Sequence, residues 1–395
     1  MSELPPQYGM ERQFQIYMGG LQGQQPALPI GADALEAAAQ AVMTPEAFGY
    51  VAGGAGGEDT MRANRDAFIR WRLVPRMLRD VGVRDHRVTL LGATYNAPLL
   101  LAPVGVLGIV RPEAELAVAQ AAAALKLPMV LSSAASKTLE EVAATLGDSP
   151  RWFQLYWGRN PEVTASFVRR AEAAGYSAIV VTLDTALLSW RERDLQNAYL
   201  PFLQGLGLAN YFSDPAFRAA LAEPPEANPL EAIRYFISTF ANPSLTWSDL
   251  AFLRQHTRLP ILLKGILHSD DARKARELGM DGIIVSNHGG RQVDGAEAAL
   301  EALPRVVRAV EGSMPVLFDS GIRRGADMLK ALALGATATL LGRPYVWGLA
   351  LGGEAGVREV ALNLLADFDL TLALTGYASA AAVDGAAISR ESGFR

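Results

Sequence analysis

From Pro98 to Pro344 the chain repeats one rhythm: a short apolar run, then a helical stretch of about ten to fifteen residues. The apolar runs are PLLLAPVG, PMVLSS, WFQLYW, AIVVTLD, PILLKGI, GIIVSNH, PVLFDSG and ATLLGRP. They are continuous rather than alternating, the mark of parallel strands covered on both faces. Between most of them lie alanine-rich segments such as AELAVAQAAAAL, VTASFVRRAEAAG, DDARKARELG and ADMLKALALG. Several of these end on the glycine expected just past a helix C-terminus. Eight such units predict an α/β fold, a (β/α)8 TIM barrel over about residues 98–350, with a doubly wound open sheet as the alternative.

Two segments fall outside the rhythm. Residues 1–97 form an N-terminal extension, polar to about Gly31 and helical in pattern from ADALEAAAQAVM onward. Between Asp184 and Pro260 lie 75 residues, so an insertion over about 190–258 follows the fourth strand, on the face where barrel sites are built. It reads as a lid, or equally as a surface excursion packed against a neighbouring subunit. The expectation is one domain over residues 1–395.

Composition narrows the class without naming a chemistry. Half the residues are apolar, 19% are charged and the net charge is −5, values of an ordinary soluble protein. No Lys/Arg cluster is interleaved with aromatics, so nucleic acid is not an expected partner. The longest mainly apolar stretch, APLLLAPVGVLGIV, is 14 residues, short of the ~20 that span a bilayer. The start, MSELPPQYGMERQFQIYMGG, has no basic-then-apolar leader pattern, and the expected location is the cytoplasm. With no cysteine at all, disulfides, thiolate metal sites and cysteine nucleophiles are excluded.

Polar groups interrupt the apolar runs mainly at their C-terminal ends. Gln154 and Tyr156 stand on the third strand, Thr182 and Asp184 on the fourth, Lys264 on the fifth and His288 on the sixth. Asp319 follows on the seventh and Arg343 on the eighth. In a barrel those ends converge on one face, which predicts a site there. Lys264, one of only five lysines against 31 arginines, lies inside ILLKGI, where a buried ammonium needs an anion or another partner. The loops DSGIRRG and LLGRP follow strands seven and eight, where barrels commonly hold phosphate. Gly321, Gly325 and Gly342 allow close approach there, and Arg323 and Arg343 supply charged donors. In SNHGGRQVDG, His288 offers a base near neutral pH, and Arg291, across two glycines, a two-point grip for a carboxylate. Asp184 is placed to stabilise the imidazolium. The other histidines, His86, His256 and His268, fall in no ligand spacing, so no metal site is expected.

These motifs together (SNHGGRQVDG, FQLYW, TLDT, LLKGI, LFDSGIRRGADMLKALALGA and LGRPYVWG) resemble the FMN-dependent L-2-hydroxy acid oxidases and dehydrogenases, most closely the lactate 2-monooxygenases and lactate oxidases. The likeness runs in order from about Leu35 to the C-terminus, and YVAGGAGGEDTMRANRDAF is similar to the family's N-terminal region. The resemblance implies FMN as cofactor, a small 2-hydroxy acid and molecular oxygen as partners, and a homotetramer. It implies His288 as base oriented by Asp184, with Arg191, Arg291 and Tyr50 binding the carboxylate and Tyr156 beside the reacting carbon. It implies Pro103, Val104 and Gly105 along the flavin edge, with Ser132, Gln154, Thr182 and Ser286 as ring contacts. Lys264 would lie by the flavin's N1 and O2, gaining its anion when the flavin is reduced. Asp319, Ser320, Gly321, Ile322, Arg323, Gly342 and Arg343 would hold ribityl and phosphate. Three departures mark this chain. Gly105 stands where most members have alanine, LLSWRERDL replaces the GRRE of glycolate oxidases, and PFLQGLGLANYFSDPAF is similar to the monooxygenase lid. The expected reaction is therefore decarboxylating, L-lactate giving acetate, carbon dioxide and water. Release of keto acid and hydrogen peroxide is the alternative, and a non-flavin barrel binding a phosphorylated metabolite is the reading of another class.

Overall fold

A computed structural model of the protein describes residues 6–391, and within it all eight apolar runs fold as strands. They are β1 (Leu99–Leu101), β2 (Met129–Ser132), β3 (Arg151–Tyr156), β4 (Ile179–Thr182), β5 (Ile261–Ile266), β6 (Gly282–Val285), β7 (Val316–Phe318) and β8 (Ala338–Leu341). Each pairs in parallel with its sequence neighbours, and β8 returns to β1, so the sheet closes and the open-sheet alternative is excluded.

The continuous apolar runs now have a physical reason. Successive side chains on a strand point to opposite faces, and here both faces are dry. Leu100, Val130, Trp152, Val180, Leu262, Ile284, Leu317 and Leu340 fill the barrel interior. Their neighbours, such as Leu131, Phe153, Val181, Leu263 and Val285, face the helices. A hairpin of Val88–Leu90 with Ala93–Tyr95 sends Leu90 and Tyr95 into the interior cluster, closing the barrel end away from the polar strand termini.

Four helices precede the barrel: α1 (Tyr8–Leu21), α2 (Ala32–Val42), α3 (Pro45–Ala52) and α4 (Asp59–Arg70). The outer layer begins with α5 (Ala114–Leu125), α6 (Leu139–Leu146) and α7 (Pro161–Ala173). Their starts are written locally. Thr138 accepts from the Glu141 amide at 3.2 Å while the Glu141 carboxylate accepts from the Thr138 amide at 2.8 Å. The insertion carries α8 (Glu192–Gln196), α9 (Ala209–Phe212), α10 (Pro215–Ala219) and α11 (Pro229–Phe240) before α12 (Leu250–His256) leads back to β5. The layer is completed by α13 (Ser269–Glu277), α14 (Ala299–Val310), α15 (Gly325–Ala333) and α16 (Arg343–Leu374). Among the described residues no helix is long and apolar enough to cross a membrane.

One buried polar cluster fastens the extension to the barrel's last helix. Asp369 on α16 accepts from Arg84 Nε at 2.7 Å, Arg84 Nη2 at 2.8 Å and the Gly9 amide at 2.7 Å, and meets His86 Nε2 at 2.8 Å. Burial alone would raise this carboxyl, but hydrogen bonds from His86 and Arg84 outweigh it and hold it below the usual carboxylate range. Asp369→Asn leaves the buried Arg84 without its counter-charge and should cost about 3–5 kcal/mol of stability in denaturant titration. Because the folded carboxyl is the more acidic, this contribution is present above about pH 4 and lost as pH falls further; the variant's melting temperature should depend less on pH in that range than the parent's.

Candidate active site

The C-terminal strand ends open into a cleft whose walls combine apolar side chains with a few convergent polar and charged ones, the composition of a ligand site. Of the residues singled out in the sequence, Tyr50, Pro103, Val104, Gly105, Tyr156, Arg191, Lys264, His288 and Arg291 line it. So do Asp319, Ser320, Gly321, Ile322, Arg323, Gly342 and Arg343. Ser132, Gln154 and Ser286 sit buried directly beneath, on β2, β3 and the end of β6. Thr182 and Asp184 face a second cavity on the far side of Tyr156. His86, His256 and His268 are spent elsewhere, on Asp369, the Phe252 carbonyl and the start of α13.

His288 follows β6 in the left-handed region, φ +57°, which a non-glycine residue occupies at a cost of roughly 1–3 kcal/mol. Its Nδ1 lies 2.8 Å from Asp184 Oδ1, and its Nε2 lies 3.5 Å from the Tyr156 hydroxyl. Burial lowers the imidazole pKa, with the nearby Lys264 charge adding to the effect and Asp184 opposing it, so the ring is neutral at neutral pH. Asp184 is held ionised the other way: burial would raise it, but the charges of His288 and Lys264 and hydrogen bonds from His288 and Thr185 lower it. With Nδ1 as donor to Asp184, Nε2 carries the lone pair.

The placement of Asp184 depends on a residue that looks like a strand defect. Between Lys264 and Ile266 the β5–β6 register shifts, and Gly265 has φ +104°. A Cβ there would stand 2.7 Å from Asp184 Cγ. The bulge leaves room for the carboxylate, and only glycine fits it.

Lys264 corrects one expectation. Its Nζ lies 3.3 Å from Asp319 Oδ2 and 3.0 Å from Ser286 Oγ, so this buried ammonium already has a carboxylate partner. Burial lowers its pKa, but Asp319 and Asp184 more than compensate and keep it charged. Its neighbour Gln154 gives Nε2 to Thr182 Oγ1 at 2.9 Å, while its Oε1 is buried with no partner.

The arginines are in the opposite position. Arg343 donates to the carbonyls of Val51 (2.9 Å), Gly289 (2.9 Å) and Gly53 (2.8 Å), and burial with repulsion from Arg291 and Arg323 lowers its pKa to about 9. Arg291 donates to the Tyr50 and Gly53 carbonyls and stands 5.1 Å over the Tyr50 ring; burial and Arg191 lower its pKa to about 10. The Arg323 guanidinium, among the described residues, donates only to the Ile322 carbonyl, 3.0 Å, and burial lowers its pKa too. Among the described residues none of the three has a carboxylate within ion-pair distance. Arg191 is different, bonded to Gln292 Oε1 at 2.8 Å and 3.9 Å from Asp194.

Sequence reasoning missed several participants. Thr185 contacts Asp184, and Gln292 Nε2 donates to the Asp184 and Leu187 carbonyls at 2.8 and 3.1 Å, fixing the loop between Asp184 and Arg191. Their adjacency to Asp184 and Arg291 was the available signal. Phe202 and Phe240 come from the insertion and line the cleft, joined to Phe236 and Tyr211 in one aromatic cluster with centroid spacings from 4.7 to 6.3 Å. Asn210 and Asp214 pin this cover to the barrel, Asn210 on the Leu139 amide and Asp214 on Ser166 and Arg170.

Comparison with known proteins gives a consistent result. The profile of the FMN-dependent dehydrogenases matches residues 39–390. The chain is 47% identical to an L-lactate oxidase of Lysinibacillus sphaericus, over 84% of this chain and 85% of that protein. It is 41% identical to the human 2-hydroxyacid oxidase 1, over 88% of this chain and 92% of that protein. A crystal structure of mandelate oxidase superposes with a TM-score of 0.81 at 39% identity, covering 92% of this chain and 98% of that one. The barrel, the order of its strand-end residues and these likenesses all place the chain in the FMN-dependent dehydrogenase family, with FMN as its cofactor.

Proposed function

We propose that the chain oxidises a short L-2-hydroxy acid such as L-lactate to its 2-keto acid, with oxygen as the final electron acceptor. The observation that carries this reading is a neutral His288, tied to Asp184 at Nδ1, in a cleft where Arg291, Arg323 and Arg343 have no carboxylate within ion-pair distance among the described residues. The oxidase names of the relatives support it.

The residues present fit FMN. The half-buried guanidiniums of Arg323 and Arg343 suit a phosphate, with Gly321, Gly342, Ser320 and Ile322 offering close backbone beside them. The orphaned Gln154 Oε1 suits an imide N–H, with Ser132, Thr182 and Ser286 as further ring contacts. Pro103, Val104 and Gly105 would flank the ring. Lys264 would present a cation whose position Asp319 fixes. FMN, when bound, supplies the two-electron acceptor.

The chain's own residues do the rest. Arg291 and Arg191, with the Tyr50 hydroxyl, hold the substrate carboxylate and so orient its hydroxyl. His288 Nε2 takes the hydroxyl proton, and Asp184 stabilises the resulting imidazolium. Tyr156 borders the reacting carbon. Overall the acid loses two electrons and two protons and oxygen gains them, leaving keto acid and hydrogen peroxide. A second reading rests on Gly105 and on the cover of Phe202 and Phe240. A retained keto acid would react with the peroxide, giving a carboxylic acid one carbon shorter, carbon dioxide and water.

Four measurements test these readings. Turnover of L-lactate with catalase present should give pyruvate for the oxidase; acetate and carbon dioxide in its place would establish the second reading. His288→Ala should keep FMN bound yet slow flavin reduction by at least about a thousandfold in stopped flow. In the parent, kcat/KM should stay level through neutrality and fall only below about pH 6.5, since burial favours the neutral ring; an acid limb above pH 7 would contradict this assignment. Arg323→Gln removes a cation that anchors no other element, and should weaken FMN binding to the apoprotein by about ten- to a hundredfold, read by flavin fluorescence.

A further inference from the structure

Behind the cleft lies a second chamber, open to solvent, between the loop after β4 and the chain that follows α11. The two cavities share only three lining residues: Tyr156, Thr185 and Phe240. Tyr156 and Phe240 form the wall between them, with ring centroids 5.2 Å apart. Tyr156 is on a barrel strand beside His288, whereas Phe240 belongs to the insertion, at the last position of α11. Phe240 is braced from behind by Phe236 at 4.8 Å and Phe202 at 5.7 Å, and the Thr239 carbonyl before it accepts from the Arg159 amide at 2.7 Å. The partition is therefore a fixed side chain rather than a loose one.

The chamber's chemistry says what it would admit. Its walls mix apolar groups, among them Trp157, Leu183, Leu245, Trp247, Leu250 and Ile266, with polar ones such as Thr182 and Asn242, and it opens to solvent beside the exposed Pro243 and Thr246. It has no Lys, Arg or His in its lining, and its charged groups are the acids Asp184 and Asp271. A carboxylate would be repelled there and would stay with the arginines of the cleft. An uncharged alkyl or aryl tail would be accepted.

Building on the proposed oxidation, we infer that Phe240 is the residue that limits the substrate to short side chains, by closing the cleft off from a cation-free, partly apolar chamber able to take a long one. A 2-hydroxy acid held by Arg291 with its hydroxyl toward His288 has its side chain stopped by this wall. Removing the ring joins the two cavities without touching a cation, the base or a cofactor-facing residue.

The test compares Phe240→Ala and Phe240→Leu with the parent holoenzyme on L-lactate and L-2-hydroxyoctanoate, by oxygen consumption. The ratio of kcat/KM for hydroxyoctanoate to that for lactate should rise about tenfold or more in Phe240→Ala, and by less in Phe240→Leu. Phe240→Leu keeps an apolar group against Phe202 and Phe236, so it guards against a folding failure of the smaller variant. A ratio within about threefold of the parent's in a folded, FMN-loaded variant overturns the inference. A binding arm separates this inference from the reaction itself. Dissociation constants of the unreactive 2-oxooctanoate and pyruvate, read from the flavin absorbance, should shift in the same direction. If the parent fails to oxidise lactate but the binding ratio shifts, the functional reading falls and the partition stands. If lactate is oxidised and neither ratio moves, the partition falls alone.

Discussion

Placing three half-buried guanidiniums in one cleft, with no carboxylate within ion-pair distance of any of them among the described residues, is the constraint around which this protein is organised. Arg291, Arg323 and Arg343 repel one another across the cleft and are held by backbone carbonyls, partial charges that offset only part of their lost hydration. Such an arrangement is unfavourable by itself and becomes favourable when anions enter. The surrounding structure supplies the rigidity that the repulsion demands. The carbonyls of Val51 and Gly53, at the end of α3, are aimed inward at Arg343, so the N-terminal extension is part of the cation cage.

The same principle works with reversed sign on the other side of the cleft. There Lys264 is neutralised by Asp319, and the ionised Asp184 accepts a hydrogen bond from the neutral His288 ring, so no excess of positive charge builds up. The base therefore stays neutral in a place where a nearby cation and burial both disfavour its protonation. Carboxylate-bearing surroundings at the proton-transfer group and an excess of cations at the anion sites divide the cleft into two electrostatic regions. The oriented substrate proposed above would span the boundary between them.

Most of this arrangement was legible in the sequence because it follows from period and position. Eight continuous apolar runs could only be strands dry on both sides, and polar groups at their C-terminal ends had to meet on one face. What could not be read was pairing across distance. That Lys264 meets Asp319 rather than waiting for an anion depends on the side-chain reach between β5 and β7, which spacing along the chain does not encode. The roles of Phe202 and Phe240 were hidden for a similar reason. Within the insertion every aromatic looks like core, and only the fold shows which of them face the cleft. Gly265 was quoted in its motif, yet its purpose rests on a 2.7 Å approach to a side chain 81 positions away.

The clasp between the chain's two ends governs when the protein can become complete during synthesis. The strand Trp71–Leu73 pairs only with Ile388–Arg390, and Arg84 and Gly9 await Asp369. The barrel likewise lacks its final seam until β8 reaches β1. At about 5–20 residues per second, a ribosome needs roughly 15–60 s to go from Arg72 to Ser389. For that interval the strand Trp71–Leu73 lacks its pairing strand, and until β8 arrives the apolar faces of the early strands are open to other chains. Yield in a cell would then be governed by protection of the nascent chain rather than by the stability of the finished barrel.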